Sequence, residues 1–271
     1  WYLFSPYECP TLHDSWGEEF ENEYAECVKR GKAGELKTFK KVDAKELWKK
    51  MLRMIFETGL PWITFKDPSN LRYSNQHEGV VHSSNLCTEI LLHTKASKYK
   101  EDGSRKVKEY GETAVCNLGS VNLKQHLTSD NLDYDKLKNT VEIAIRMLDN
   151  VIDINFYPTE EAKNSNTKHR PIGLGSMGWH DMFYHLNMNM DSDEAIKLSG
   201  KIYEYISYHA INTSTKLAKE RGVYSTYKGS LWDQGVFPID TYKKLCEYRG
   251  KDMDATESLD WASVRNHVKR H

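Results

Sequence analysis

Apolar residues recur at helical spacing in three long stretches of this chain. Between 44 and 58, Leu47, Met51 and Ile55 form one stripe, Asp43 and Glu46 stand at capping-box spacing, and Gly59 follows as a stop. Between 134 and 153 the stripe is Leu137, Val141, Ala144 or Ile145, Leu148 and Ile152. A third helix is predicted after Asp191, with Glu194 as its capping partner. It carries Ile202, Ile206, Ala210, Thr213 and Leu217 on one face and ends at Gly222. A short amphipathic piece lies around Glu18 to Val28, within an otherwise irregular entry over 1–42. Trp62-Ile-Thr-Phe65 reads as a short strand, and 66–79 as a polar loop. The segment 80–94 reads as extended, and Thr113-Ala-Val-Cys116 as a second strand. Residues 95–112, dense in Lys, Glu, Asp and Gly, read as a solvated loop or hairpin tip rather than an anion-binding patch. Phe237-Pro-Ile-Asp-Thr-Tyr242 reads as a surface turn, with a last helix from Trp261. Strands alternating with helices predict α/β architecture, and no internal repeat or obvious linker divides the chain.

Composition narrows the classes. With 271 residues, 39% hydrophobic and 28% charged, the chain can bury a sizeable core. Its formal net charge of −1 offers no basic footprint, so neither nucleic acid nor an anionic membrane is expected as a partner. No apolar run is long enough for a membrane-spanning helix. The start, Trp1-Tyr-Leu-Phe-Ser-Pro6, has no initiator Met and no signal pattern, and suggests a piece of a longer polypeptide. Five cysteines at irregular spacing, none in a CxxC, point to a reducing, cytoplasmic setting.

The candidate chemistry sits at Asn85, Cys87 and Glu89. On an extended strand alternate side chains share a face, so these three are expected to point into one pocket. An amide, a thiol and a carboxylate in a row would each need a partner if merely packed. The row suits a site that holds a hydroxylated substrate beside a reactive sulfur. Cys116 is the other cysteine to single out. A lone buried cysteine usually packs as a small hydrophobe, but Cys116 is followed by polar Asn117, Ser120 and Asn122. Two competing patterns are weaker. Gly173-Leu-Gly-Ser-Met-Gly178, with Asp193 following, matches a dinucleotide-binding fingerprint, yet polar residues 164–170 precede it where a first strand should stand. His82, Cys87, Glu89 and His93 cluster in sequence but lack zinc-ligand spacing, so no metal is expected there.

Ser84-Asn-Leu-Cys-Thr-Glu-Ile90, followed by Ala114-Val-Cys-Asn-Leu-Gly-Ser-Val-Asn-Leu123, resembles the large, catalytic subunit of class I ribonucleotide reductase. Leu3-Phe-Ser-Pro6, Asn75-Gln-His-Glu-Gly-Val-Val-His-Ser83, Arg170-Pro-Ile-Gly-Leu-Gly-Ser-Met-Gly178 and Phe237-Pro-Ile-Asp-Thr-Tyr-Lys-Lys244 extend the resemblance along the chain. It implies a partial ten-stranded α/β barrel, with Cys87 on a finger loop through the centre and residues 1–271 as one partial domain of that barrel. It implies that Cys87 becomes a thiyl radical and takes the 3′ hydrogen of a ribonucleotide. Glu89 would accept the 3′-hydroxyl proton, and Asn85 would bind the sugar. Cys116 would be one of two cysteines that end as a disulfide, the second lying before the start of this chain, since Cys9 and Cys27 are in the wrong context. The implied partners are the remaining large-subunit segments, a radical-generating small subunit that holds the metal, a ribonucleoside diphosphate, and thioredoxin or glutaredoxin. No cofactor is expected on this fragment, and ATP or dNTP effectors would bind elsewhere. The alternative expectation is an inactive fragment or assembly partner that keeps the fold.

Overall fold

The long apolar stripes become helices. In the computed structural model, which describes residues 1–104, 106–255 and 257–271, the chain divides into two units, residues 1–93 and 94–271. The first unit opens with strand β1 (Tyr2–Phe4), which pairs antiparallel with β2 (Phe39–Lys41). Helices α1 (Thr11–Asp14) and α2 (Gly17–Lys32) lie between them, and α3 (Ala44–Thr58) and α4 (Lys66–Arg72) follow. Cys9, Cys27 and Leu36 form a small core with Phe4 and Leu12. The carboxylate of Asp43 caps α3 by accepting from the Glu46 amide at 2.9 Å, and Gly59 ends it in the left-handed region at φ 75°.

The second unit holds an antiparallel hairpin, β3 (Lys98–Tyr99) with β4 (Val107–Glu109), and a parallel pair, β5 (Asn117–Asn122) with β6 (Ile172–Met177). Residue 105 of the hairpin tip lies outside the described residues. A parallel connection needs a long crossover. Here it contains α5 (Tyr134–Ile154) and α6 (Glu160–His169). Helix α7 (Trp179–His185) leads into α8 (Asp193–Arg221), and α9 (Pro238–Tyr248) and α10 (Trp261–Arg270) close the chain. Helix α5 packs on both strands and on α8. The core between them includes Val121, Leu137, Val141, Ile145, Ile202, Ile206 and Leu217. Asp149 on α5 accepts from Arg170 Nε at 3.1 Å, from Arg170 Nη2 at 2.9 Å and from Arg221 Nη1 at 2.5 Å, and Arg170 also grips Asp153.

Several expectations are corrected. Residues 62–65 form no strand, and the expected loop after them begins with α4. Residues 113–116 are irregular, and the strand starts immediately after Cys116. Ser192, not Asp191, caps α8, its hydroxyl accepting from the Ala195 amide at 3.2 Å. The expected surface turn at 237–242 opens α9. Pro238 pre-sets the first helical φ, the Asp240 carboxylate accepts from the Phe237 amide at 2.6 Å, and Phe237 is buried against Trp261 and Val264. The wet-loop reading of 95–112 holds for the hairpin but fails at its end. Glu112 is 4% exposed. Its carboxylate accepts from Lys168 Nζ at 2.8 Å and faces His169 Nε2 at 2.5 Å, while His169 Nδ1 lies 2.8 Å from the Thr226 hydroxyl. Among the described residues three two-stranded sheets are present, and no closed barrel.

Two outcomes follow from this packing. Leu137, fully buried, is expected to cost about 2–5 kcal/mol when changed to Ala, whereas Ile143→Ala, at a 60% exposed site on the same helix, should stay within about 0.5 kcal/mol by denaturant unfolding. Burial pushes the Glu112 carboxyl up, but the hydrogen bonds from Lys168 and His169 outweigh it and hold the group below its ordinary value of 4.5. Its stabilising contribution is therefore complete above pH 4.5 and is lost as pH falls through the lower folded value. The stability gap between the wild-type chain and Glu112→Gln should narrow on acidification below pH 4.5.

Candidate functional site

The approach to Cys87 is clamped before the tip is reached. Asn70 on α4 is 2% exposed and spends its whole carboxamide on the backbone. Its Oδ1 accepts from the Val81 amide at 2.8 Å, and its Nδ2 donates to the carbonyls of Val81 and Lys66, both at 3.0 Å. One side chain thus supplies Val81 with the bonds a neighbouring strand would give it. His93 Nδ1 lies 3.0 Å from the Val80 carbonyl. Its ring fills the space beside Gly79, where an added Cβ would meet it at 2.3 Å, so no other residue fits there. His82 Nε2 sits 2.8 Å from Asp14 Oδ1, and its ring stacks on that of His13 at 4.0 Å. Burial lowers the His82 pKa, which the Asp14 bond only partly offsets.

Beyond this stem the chain turns. The expected strand through Asn85, Cys87 and Glu89 is corrected: these residues form a turn with Cys87 near its tip. The Asn85 amide donates to the Ile90 carbonyl at 3.2 Å, the Asn85 side chain accepts from the Ile90 amide at 3.0 Å, and the Thr88 amide donates to the Asn85 carbonyl at 3.3 Å. Asn85 is therefore used to close the turn, the local backbone bonding that Asn favours. Thr88 adopts φ 66°, a left-handed conformation costly for a β-branched residue. That reversal destroys the two-residue alternation on which a shared face depends. Asn85, Cys87 and Glu89 all stand exposed, as does Leu86 at 78%.

The segment read as a strand at 62–65 braces this turn through side chains. Trp62 Nε1 donates to the Thr88 hydroxyl at 2.5 Å, and the hydroxyls of Thr64 and Ser84 lie 3.3 Å apart. Trp62, Asn70 and Thr88 are the supporting residues that reading the chain missed. An Asn four positions into a short helix and a Trp in an apolar tetrad carry no local sign of such a role.

Cys116 belongs to the second unit. It is half-buried immediately before β5, its sulfur 3.8 Å from the Asn117 carbonyl. Cys9, Cys27 and Cys246 are buried. Burial, with Cys9 adjacent, pushes the Cys27 thiol up to about 11. A cavity of about 610 Å³ in the second unit is lined by Asp149, Arg170, Ser214, Arg221, Tyr224 and Trp232 among others, and by none of the four candidate residues. The glycine pattern has a structural use. Gly173 and Gly175 lie inside β6, and Gly178 takes φ 78° at the start of α7, so the motif is not the phosphate loop between a first strand and its helix.

The family model for the ribonucleotide reductase barrel domain matches residues 1–271. The chain belongs to the ribonucleotide reductase family. It is 54% identical to the ribonucleoside-diphosphate reductase subunit alpha of Chlamydia trachomatis serovar D, over all of this chain and 25% of that protein. It is 37% identical to the subunit alpha of Helicobacter pylori, over 99% of this chain and 38% of that protein. The large subunit of Caenorhabditis elegans is 38% identical over all of this chain and 31% of its own length. The chain thus spans a quarter to about two fifths of these reductase subunits.

The exposure of the thiols sets an order of reactivity. In the folded chain iodoacetamide should modify Cys87 first and Cys116 more slowly. Cys9, Cys27 and Cys246 should react only after denaturation, as read by peptide mass analysis. Modification of the buried three ahead of Cys87 would contradict the exposed turn.

Proposed function

We propose that this chain is part of the catalytic barrel of a class I ribonucleoside-diphosphate reductase large subunit, with Cys87 as its radical-bearing residue. The observation that carries the reading is the placement of Cys87 at the exposed end of a turn whose stem is clamped by Asn70, His93 and His82. A group that exchanges hydrogen atoms with a ribose needs access to carbon and a fixed mount, because small misplacements are costly in rate. In the proposed reaction the Cys87 thiyl radical takes the 3′ hydrogen and becomes a thiol, leaving the radical on carbon. Glu89 accepts the 3′-hydroxyl proton, and Asn85, whose Oδ1 takes the Ile90 amide, binds the sugar through its Nδ2. The 2′-hydroxyl leaves as water on a proton from one of the two reducing thiols, the hydrogen of the other goes to C2′, and Glu89 returns its proton to O3′. Two electrons come from Cys116 and a second cysteine outside these residues, which end as a disulfide. Cys87 then returns the hydrogen atom to C3′ and regains the radical.

The same reading assigns the wider context. The two units belong to one ten-stranded barrel completed by strands from the remaining large-subunit segments, with the Cys87 turn as its central finger. A metal-containing small subunit supplies the radical, thioredoxin or glutaredoxin reduces the disulfide, and ATP or dNTP effectors bind outside this chain. The setting is the cytoplasm. Among the described residues no helix is long and apolar enough to cross a membrane. No observation favours the alternative of an inactive assembly partner.

The test is reconstitution. The 271-residue chain alone should convert no ribonucleoside diphosphate. Adding the remaining large-subunit segments, the small subunit and a dithiol should yield deoxyribonucleoside diphosphate by chromatography. Cys87→Ser should reduce that yield to background, and Cys116→Ser should stop repeated turnover. Product from the Cys87→Ser chain would overturn the assignment, as would turnover by the isolated chain.

A further inference from the structure

Three side chains in the first unit meet on one spot although two come from α1 and the third from the stem of the Cys87 turn. They are His13, Asp14 and His82, and one ligand atom from each lies within 4.8 Å of the other two. The closest approach, His82 Nε2 to Asp14 Oδ1 at 2.8 Å, is a hydrogen bond whose proton a cation could replace. The His13 and His82 rings lie nearly parallel, 5° apart in plane and 4.0 Å between centroids. Stacked in this way their in-plane lone pairs run parallel, so the exposed His13 ring must turn out of the stack for both imidazoles to reach one ion.

We infer that His13, Asp14 and His82 form a binding site for a borderline transition-metal dication of the zinc class, tying α1 to the stem of the Cys87 turn. Two imidazoles and one carboxylate are a donor set that suits zinc, with water completing a tetrahedron. Harder cations such as magnesium and calcium prefer all-oxygen sites and are poor candidates here. Tetrahedral ligands at zinc bond lengths stand about 3.3 Å apart, so the widest separation allowed here must close by about 1.5 Å. His13 and Asp14 are exposed and can make that adjustment by rotation. The ion would be structural rather than a participant in ribose chemistry, and it departs from the expectation that this fragment holds no metal. Lys66 opposes it. Its ammonium donates to the His13 carbonyl at 2.6 Å and lies within electrostatic reach of Asp14. A dication arriving at the site must work against that charge.

The full 271-residue chain, stripped with a chelator, is titrated with zinc chloride by calorimetry and with cobalt chloride by visible absorption. The expected result is one equivalent of zinc and a four- or five-coordinate cobalt spectrum. His82→Gln and His13→Gln should each weaken binding at least about tenfold. Asp14→Asn should do the same while keeping a hydrogen-bond acceptor for His82, which guards against simple misfolding. Lys66→Met should tighten binding several-fold. The second histidine pair, His267 and His271, is the internal control. Unchanged affinity in the His13→Gln/His82→Gln chain overturns the site, as does binding that follows His267 and His271 instead. Absence of tightening in Lys66→Met counts against it too, because it places the ion away from that ammonium.

Discussion

Six residues of β5 lie in parallel register with six of β6, from Asn117 opposite Ile172 to Asn122 opposite Met177. A parallel pair cannot be joined by a tight turn, and its side chains need cover. That constraint organises the second unit. The chain between the strands must be long, and it must contain something apolar to lay across them. Helix α5 does both, and its inner stripe then demands a partner, which α8 supplies. The hairpin, α6 and the terminal helices are arranged around this requirement.

The first unit solves a different problem, that of holding an irregular segment still. Regular ladders are not available to residues 79–90. Polar side chains take their place: Asn70 at Val81, His93 at Val80, the Asn85 amide group at Ile90, and Trp62 at Thr88. Each contributes roughly 1 kcal/mol net, and loss of Asn70, His93 or Asn85 would also take a side-chain partner from a backbone group. A turn secured in this way keeps its tip bare while its base is hydrogen-bonded to the rest of the first unit. Cys87 is thereby left exposed, which a strand buried in a sheet would not allow.

The division between what could and could not be read from the chain follows the range of the interactions. Helices α3, α5 and α8 were legible because periodicity and caps are local, and Leu137, Val141, Ile145, Leu148 and Ile152 are all buried as their spacing requires. The start of α9 was equally local, with Pro238 and Asp240 in place, but was read as a turn. The strand expected through Asn85, Cys87 and Glu89 fails because a single left-handed residue at Thr88 undoes an alternation of side chains. Glu112 looked like part of a wet loop because its partners, Lys168 and His169, lie more than fifty positions away. No window on the sequence spans such a distance. The roles proposed for Cys87, Glu89, Asn85 and Cys116 come from the family resemblance, not from spacing.

Asp149 binds Arg170 beyond the end of α6 and Arg221 at the end of α8, while itself standing on α5. Three segments therefore converge on one carboxylate. Its side chain is 16% exposed, so dissolved ions reach it poorly compared with the open pairs along the helix surfaces. Concentrated salt would strip those outer pairs of their small worth and leave this knot largely intact, so the second unit keeps its internal alignment across a wide span of ionic strength.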